Sequence, residues 1–171
     1  MRWVVLPVLV VSACAATDNP NAQRYENRSQ GYSVAQPDGA WRETTDQGAT
    51  MFIGTARARH TITLRSTARP MTLGELACNI DNVAATTKHV LLAMPNAKLV
   101  GELTPVGTEL PARQFMLTYK PGRTKGKTYQ RLDAVVVGEK HIFHVIYTAP
   151  ASEPIDEQTF TEMVQTIREE A

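Results

Sequence analysis

Few side chains in this sequence could do chemistry. The four histidines, His60, His89, His141 and His144, could act as bases or metal ligands. His141 and His144 lie three apart in a β-branched apolar run that reads as a strand. They therefore face opposite sides and cannot share a metal ion. His144, between Phe143 and Val145, reads as a hydrogen-bonded core or half-buried ring. A hydrolase would need a nucleophile such as Ser66 or Ser152 brought against His60 or His144. The sequence has no Gly-x-Ser-x-Gly elbow, no His-Glu-x-x-His pair and no glycine-rich phosphate loop after a strand. No catalytic residue, metal site or cofactor is expected. Lys120, Arg123, Lys125, Lys127 and Arg131 surround one predicted turn and make a basic hairpin tip. Such a tip protects sheet edges from mispairing, and it is the candidate contact for anionic headgroups or an acidic partner. Arg57, Arg59 and Arg65 share parity and extend a polar face. Of the two cysteines, Cys78 lies just off an apolar helical stripe with no basic neighbour, so it reads as a small half-buried side chain.

The other cysteine, Cys14, has a different setting. Residues 1–13, MRWVVLPVLVVSA, place one basic residue before an apolar run too short to span a bilayer and end on small residues. Val11-Ser12-Ala13-Cys14 resembles the bacterial lipobox. That resemblance implies cleavage before Cys14, a thioether from its sulfur to diacylglycerol, and acylation of its amine with a chain such as palmitate. Several chains give stable anchoring where one is marginal. Ala15, rather than Asp, favours the outer membrane over the inner by analogy with enterobacterial lipoproteins. Residues 14–29 are polar and read as a flexible tether, with one folded domain from 30 to 171. The 18 basic and 17 acidic residues leave a formal charge of +1, which gives no electrostatic case for nucleic acid.

The elements that must position these residues follow from periodicity. Tyr32–Ala35 is a short strand before a Pro37-Asp38-Gly39 turn. "ATMFIGT" is a second strand and "RHTITLRST" a third, with His60, Ile62 and Leu64 on one face. Thr72 with Glu75 makes a capping box and Met71 with Leu76 a staple, opening a helix that ends before Pro95. Its stripe is Leu73, Leu76, Ala77, Ile80, Val83 and Ala84. "AKLVGELTPV" is another strand. Three strands then form a meander, "ARQFMLTYK", "TYQRLDAVVVGE" and "HIFHVIYTA". The last two are apolar on both faces and need cover on both. Asp156 caps a final helix whose buried face is Phe160, Met163, Val164 and Ile167, with an Ile155–Phe160 staple.

This order of elements predicts an α+β fold, a mainly antiparallel sheet with helices on both faces, an α/β/α sandwich. With the words "GYSVAQPDGAW", "MTLGELACNI", "LPARQFMLTY", "HIFHVIYTAP" and "FTEMVQTI", it resembles the PsbP/DcrB-like superfamily across residues 31–167. The resemblance implies a mostly non-enzymatic protein such as an assembly subunit, envelope lipoprotein or secretion chaperone. The expectation is a lipid-anchored protein of the bacterial envelope, facing the periplasm, with a non-catalytic binding or assembly role toward an envelope protein. The alternatives are an accessory subunit of a secretion machine and a small envelope hydrolase.

Overall fold

A computed structural model describes residues 23–37, 39, 41–57, 59–70, 79–121 and 126–170. In chain order, β1 (Arg24–Asn27) and a short 3-10 turn (Arg28–Gln30) precede β2 (Tyr32–Ala35), β3 (Trp41–Asp46), β4 (Ala49–Gly54) and β5 (Thr61–Ala68). Helix α1 (Ile80–Leu92) follows, then β6 (Lys98–Leu99), β7 (Thr104–Val106), β8 (Ala112–Tyr119), β9 (Tyr129–Val137) and β10 (His141–Pro150). Helix α2 (Glu157–Gln165) and β11 (Arg168–Glu169) close the chain. Strands β3-β4-β5-β10-β9-β8-β6 run in that order in one large sheet, and β7 pairs β8 beside β6. A small sheet takes the order β1-β2-β11. Every pairing is antiparallel.

The core divides by strand parity. Leu132, Ala134 and Val136 of β9 join Phe143, Val145 and Tyr147 of β10, Tyr32 and Val34 of the small sheet, and Phe160, Met163 and Val164 of α2. Val135, which alternates with Ala134 and Val136, instead meets Ile142 and Ala84 of α1. The continuous apolar runs of β9 and β10 thus feed two separate clusters. Asp156 caps α2 as its side chain accepts from the Thr159 N–H at 3.0 Å. Ile155 packs on the core beside Phe160. Asn79 caps α1 by accepting from the Asp81 N–H at 2.8 Å. The expected capping box and staple, Thr72, Glu75, Met71 and Leu76, lie outside the described residues.

The helix expected to run on from Thr72 is interrupted at Asn79, whose extended backbone (ψ 136°) lets α1 open only at Ile80, and three further features depart from the sequence reading. Residues 24–27, within the expected tether, form β1 on β2. Tyr25 meets Phe52 edge to face at 6.5 Å, and the buried Asn27 amide donates to Thr50 Oγ1 at 3.1 Å. The segment looks too polar to fold because Asn27, one of its two inward groups, is satisfied by hydrogen bonds rather than by apolar burial. Second, β3 was not foreseen. It is largely exposed and joins β4 through Gln47 and Gly48, both at positive φ (49° and 82°). That is a two-residue hairpin turn without the usual Asn or Asp. Third, the strand expected over 97–106 is split into β6 and β7, pairing opposite ends of β8.

Candidate functional site

The large sheet ends in an open cleft of about 310 Å³ lined by Arg59, Lys127, Thr128, Tyr129, Pro150, Ala151 and Ser152. Three segments build it. Arg59 comes from the β4–β5 loop, Lys127 to Tyr129 from the start of β9, and Pro150 to Ser152 from the β10–α2 turn. The loop folds sharply back. The His60 N–H donates to the Arg57 carbonyl at 2.7 Å and the Gly54 N–H to the His60 carbonyl at 3.0 Å. The turn is held from several sides. The Ala151 N–H donates to the Thr128 carbonyl and the Glu153 N–H to the Pro150 carbonyl, each at 3.0 Å. The Gln130 amide donates to the carbonyls of Pro150 and Glu153.

His60 ties loop to turn from below. Its ring is 1% exposed, with Nδ1 2.9 Å from Tyr147 Oη and Nε2 2.9 Å from Glu153 Oε2. Burial pushes the Tyr147 hydroxyl pKa above its ordinary value, opposed by a hydrogen bond from the Asp156 backbone. The Trp41 ring stands edge to face on Tyr147 at 5.7 Å. Thus β3, the β4–β5 loop, β10 and the turn before α2 meet at one aromatic and polar knot.

The three predicted basic residues that are described, Lys120, Lys127 and Arg131, separate. Lys127 lines the cleft and Lys120 is exposed just past β8. Arg131 lies within β9 and is bidentate on Asp133, both contacts at 2.7 Å. It is therefore engaged in a largely buried pair on a sheet face rather than held at a tip. Burial raises the Asp133 pKa despite Arg131. Arg123 and Lys125 lie outside the described residues, as does Cys14. Arg59, read from the sequence only as part of a polar face, is the cation that shares the cleft with Lys127. Nothing local in the sequence pairs them, since the β4–β5 loop and β9 meet only through β10.

The pairings required for a hydrolase are not formed. The register places Ser66 opposite Phe143 and Arg65 opposite His144, so Ser66 and His144 face opposite sides of the sheet. Ser66 Oγ donates to the Gln30 carbonyl at 2.6 Å. Both nitrogens of His60 are engaged with Tyr147 and Glu153, not with a serine. His141 Nδ1 is 2.9 Å from Glu169. Burial, with the nearby Arg131 charge, lowers the His144 pKa. Among the described residues no group of three or more His, Cys, Asp or Glu could hold a metal ion. No helix among them is long and apolar enough to cross a membrane.

No family profile matches the sequence, and no curated protein matches it. Solved structures do. Cyanobacterial PsbP (CyanoP) of Synechocystis is similar over 93% of this chain and 98% of its own, at a TM-score of 0.58 and 13% identity. LpqN of Mycobacterium tuberculosis, involved in cell envelope biogenesis, is similar over 90% of this chain and 88% of its own, at a TM-score of 0.59 and 12% identity. A Bacteroides thetaiotaomicron protein is similar over 88% of this chain at a TM-score of 0.61 and 11% identity, and the chain spans 49% of that protein. At these identities the likeness is one of architecture: an α+β fold of the PsbP type with a mainly antiparallel sheet.

Proposed function

We propose that this protein is a lipid-anchored, non-catalytic binding or assembly protein of the bacterial cell envelope. In this reading Cys14 carries the lipid, the domain faces the periplasm, the outer membrane is the destination, and the partner is an envelope protein. The basic hairpin side of the domain is its docking surface. The division of the core by β9 parity supports helices on both faces of the sheet, an α/β/α sandwich. The involvement of the similar LpqN in cell envelope biogenesis supports an envelope setting.

One observation carries the non-catalytic reading. His60, Ser66 and His141 are all engaged in internal contacts, whereas Arg59 and Lys127 line an open cleft without ion-pair partners among the described residues. A surface on which these three groups are held in internal contacts while the two cations remain open is suited to binding. The test is membrane fractionation with in-cell cross-linking of the full-length protein and its Cys14→Ser variant. Wild type should sediment with outer membranes and capture one dominant envelope protein, and Cys14→Ser should be released. A Cys14→Ser protein that sediments as wild type does would overturn the anchor.

A further inference from the structure

The cleft combines a fixed wall with two cations that lack an ion pair among the described residues. Its wall, residues 150–153, is held by Gln130, by His60 through Glu153 and by the Thr128 backbone. Arg59 and Lys127 enter from two different segments. Glu153, which follows the lining residue Ser152 in the chain, turns Oε2 to His60 at 2.9 Å. Ser152 and Thr128 bring hydroxyls to the lining, and neither hydroxyl has a protein hydrogen-bond partner among the described residues. Tyr129 adds an aromatic wall, steadied by the Tyr119 ring at 6.1 Å. We infer that this cleft is a binding site for a phosphate ester, its phosphate held between Arg59 and Lys127 and its organic body against Tyr129, Pro150 and Ala151.

Charge and size both select this class. A phosphate monoester carries close to two negative charges at neutral pH, matched by one guanidinium and one ammonium, whereas a carboxylate needs only one. A volume of about 310 Å³ leaves space beyond a bare phosphate, and the remaining lining suits a small polar body such as glycerol or a sugar. The inference deepens the reading of the basic hairpin as a docking surface. It rests on that reading only for the setting in which the ester is met, because the cleft itself is built by loop, strand and turn.

The test is titration of the isotope-labelled full-length protein, followed by amide NMR shifts. Glycerol 3-phosphate should move the resonances of residues 127–129 and 151–152, glycerol should not, and acetate should bind at least tenfold more weakly. Arg59→Gln should weaken glycerol 3-phosphate at least tenfold, and Arg59→Gln with Lys127→Gln should abolish the shifts. Both side chains are exposed, so the melting temperature should not change. Vesicles containing phosphatidic acid separate the two sources of the ester. Binding that requires Arg59 and Lys127 assigns a lipid headgroup, and binding of the free ester alone assigns a soluble one. Acetate binding as tightly, shifts elsewhere, or an unaffected double variant would overturn the inference. The titration does not depend on the anchor, so it can fail while Cys14→Ser behaves as expected, and the reverse.

Discussion

Two side chains carry unusual weight, the buried His60 and the half-buried Glu169. His60 bridges Tyr147 and Glu153 from a site that is 1% exposed. His60→Ala leaves both partners without their contact and opens a cavity, and should cost about 2–4 kcal/mol in urea denaturation. A loss below about 1 kcal/mol would mean that the knot does not hold the cleft wall. Glu169 accepts from the N–H groups of Glu139 at 2.6 Å and Lys140 at 2.9 Å and faces His141. Burial raises its pKa, but these hydrogen bonds outweigh burial and hold it below its ordinary 4.5. The carboxylate therefore stabilises the fold fully above that unfolded value, and the contribution is lost as pH falls through the lower folded pKa. Asp133 titrates in the opposite sense, since burial raises its pKa. The difference between wild type and Glu169→Gln isolates the effect. Urea midpoints should differ at pH 6 and converge toward pH 3. A constant difference would sink the assignment.

His144 adds a second pH window. Burial lowers its pKa below the ordinary 6.5. The unfolded chain then binds the proton more readily, so stability falls as pH drops from about 6.5 toward the lower folded value. His144→Gln should flatten the slope of stability between pH 7 and pH 5.

For single elements, the hairpins and caps are separable. Asp156 accepts from both the N–H and the hydroxyl of Thr159 at 3.0 Å. Asp156→Ala should cost about 1 kcal/mol by thermal denaturation, a cap loss and no more. Gly54 is a tighter constraint, because a Cβ there would lie 2.9 Å from the Arg57 carbonyl oxygen. Gly54→Ala must shift the β4–β5 loop and so displace Arg59. It should weaken glycerol 3-phosphate binding without removing either cation. Affinity equal to wild type would show that the loop can move without carrying Arg59 with it. The third strand and α2 were legible because each repeats its apolar residues at a clean period, and the meander because its apolar, β-branched runs are set off by turn residues. The edge strand β3 was not, because its solvated, threonine-rich residues have no core face to declare.

For the molecule as a whole, β1 belongs to the folded domain. The small sheet joins residues 24–27 and 32–35 to residues 168–169 near the opposite end of the chain. Arg24 reaches Ser33 Oγ at 2.8 Å and the Thr166 carbonyl at 3.0 Å. A chain starting at Gln30 should therefore melt several degrees below one starting at Gln23, by differential scanning calorimetry. Equal melting temperatures would mean that β1 adds nothing to the stability of the domain.

The sequence by itself determined the period of most strands, the N-cap residue of the last helix and its buried face, and the alternation that makes His141 and His144 face apart. These are local properties, set by side-chain spacing and backbone chemistry along one segment. Only the tertiary structure decided which distant groups meet. His60 with Tyr147 and Glu153, Arg131 with Asp133, and above all Arg59 with Lys127 depend on strand order and register. Placing β10 between β5 and β9 brings the β4–β5 loop beside the start of β9. No spacing within either segment encodes that neighbourhood, because it is the packing of the whole sheet that creates it.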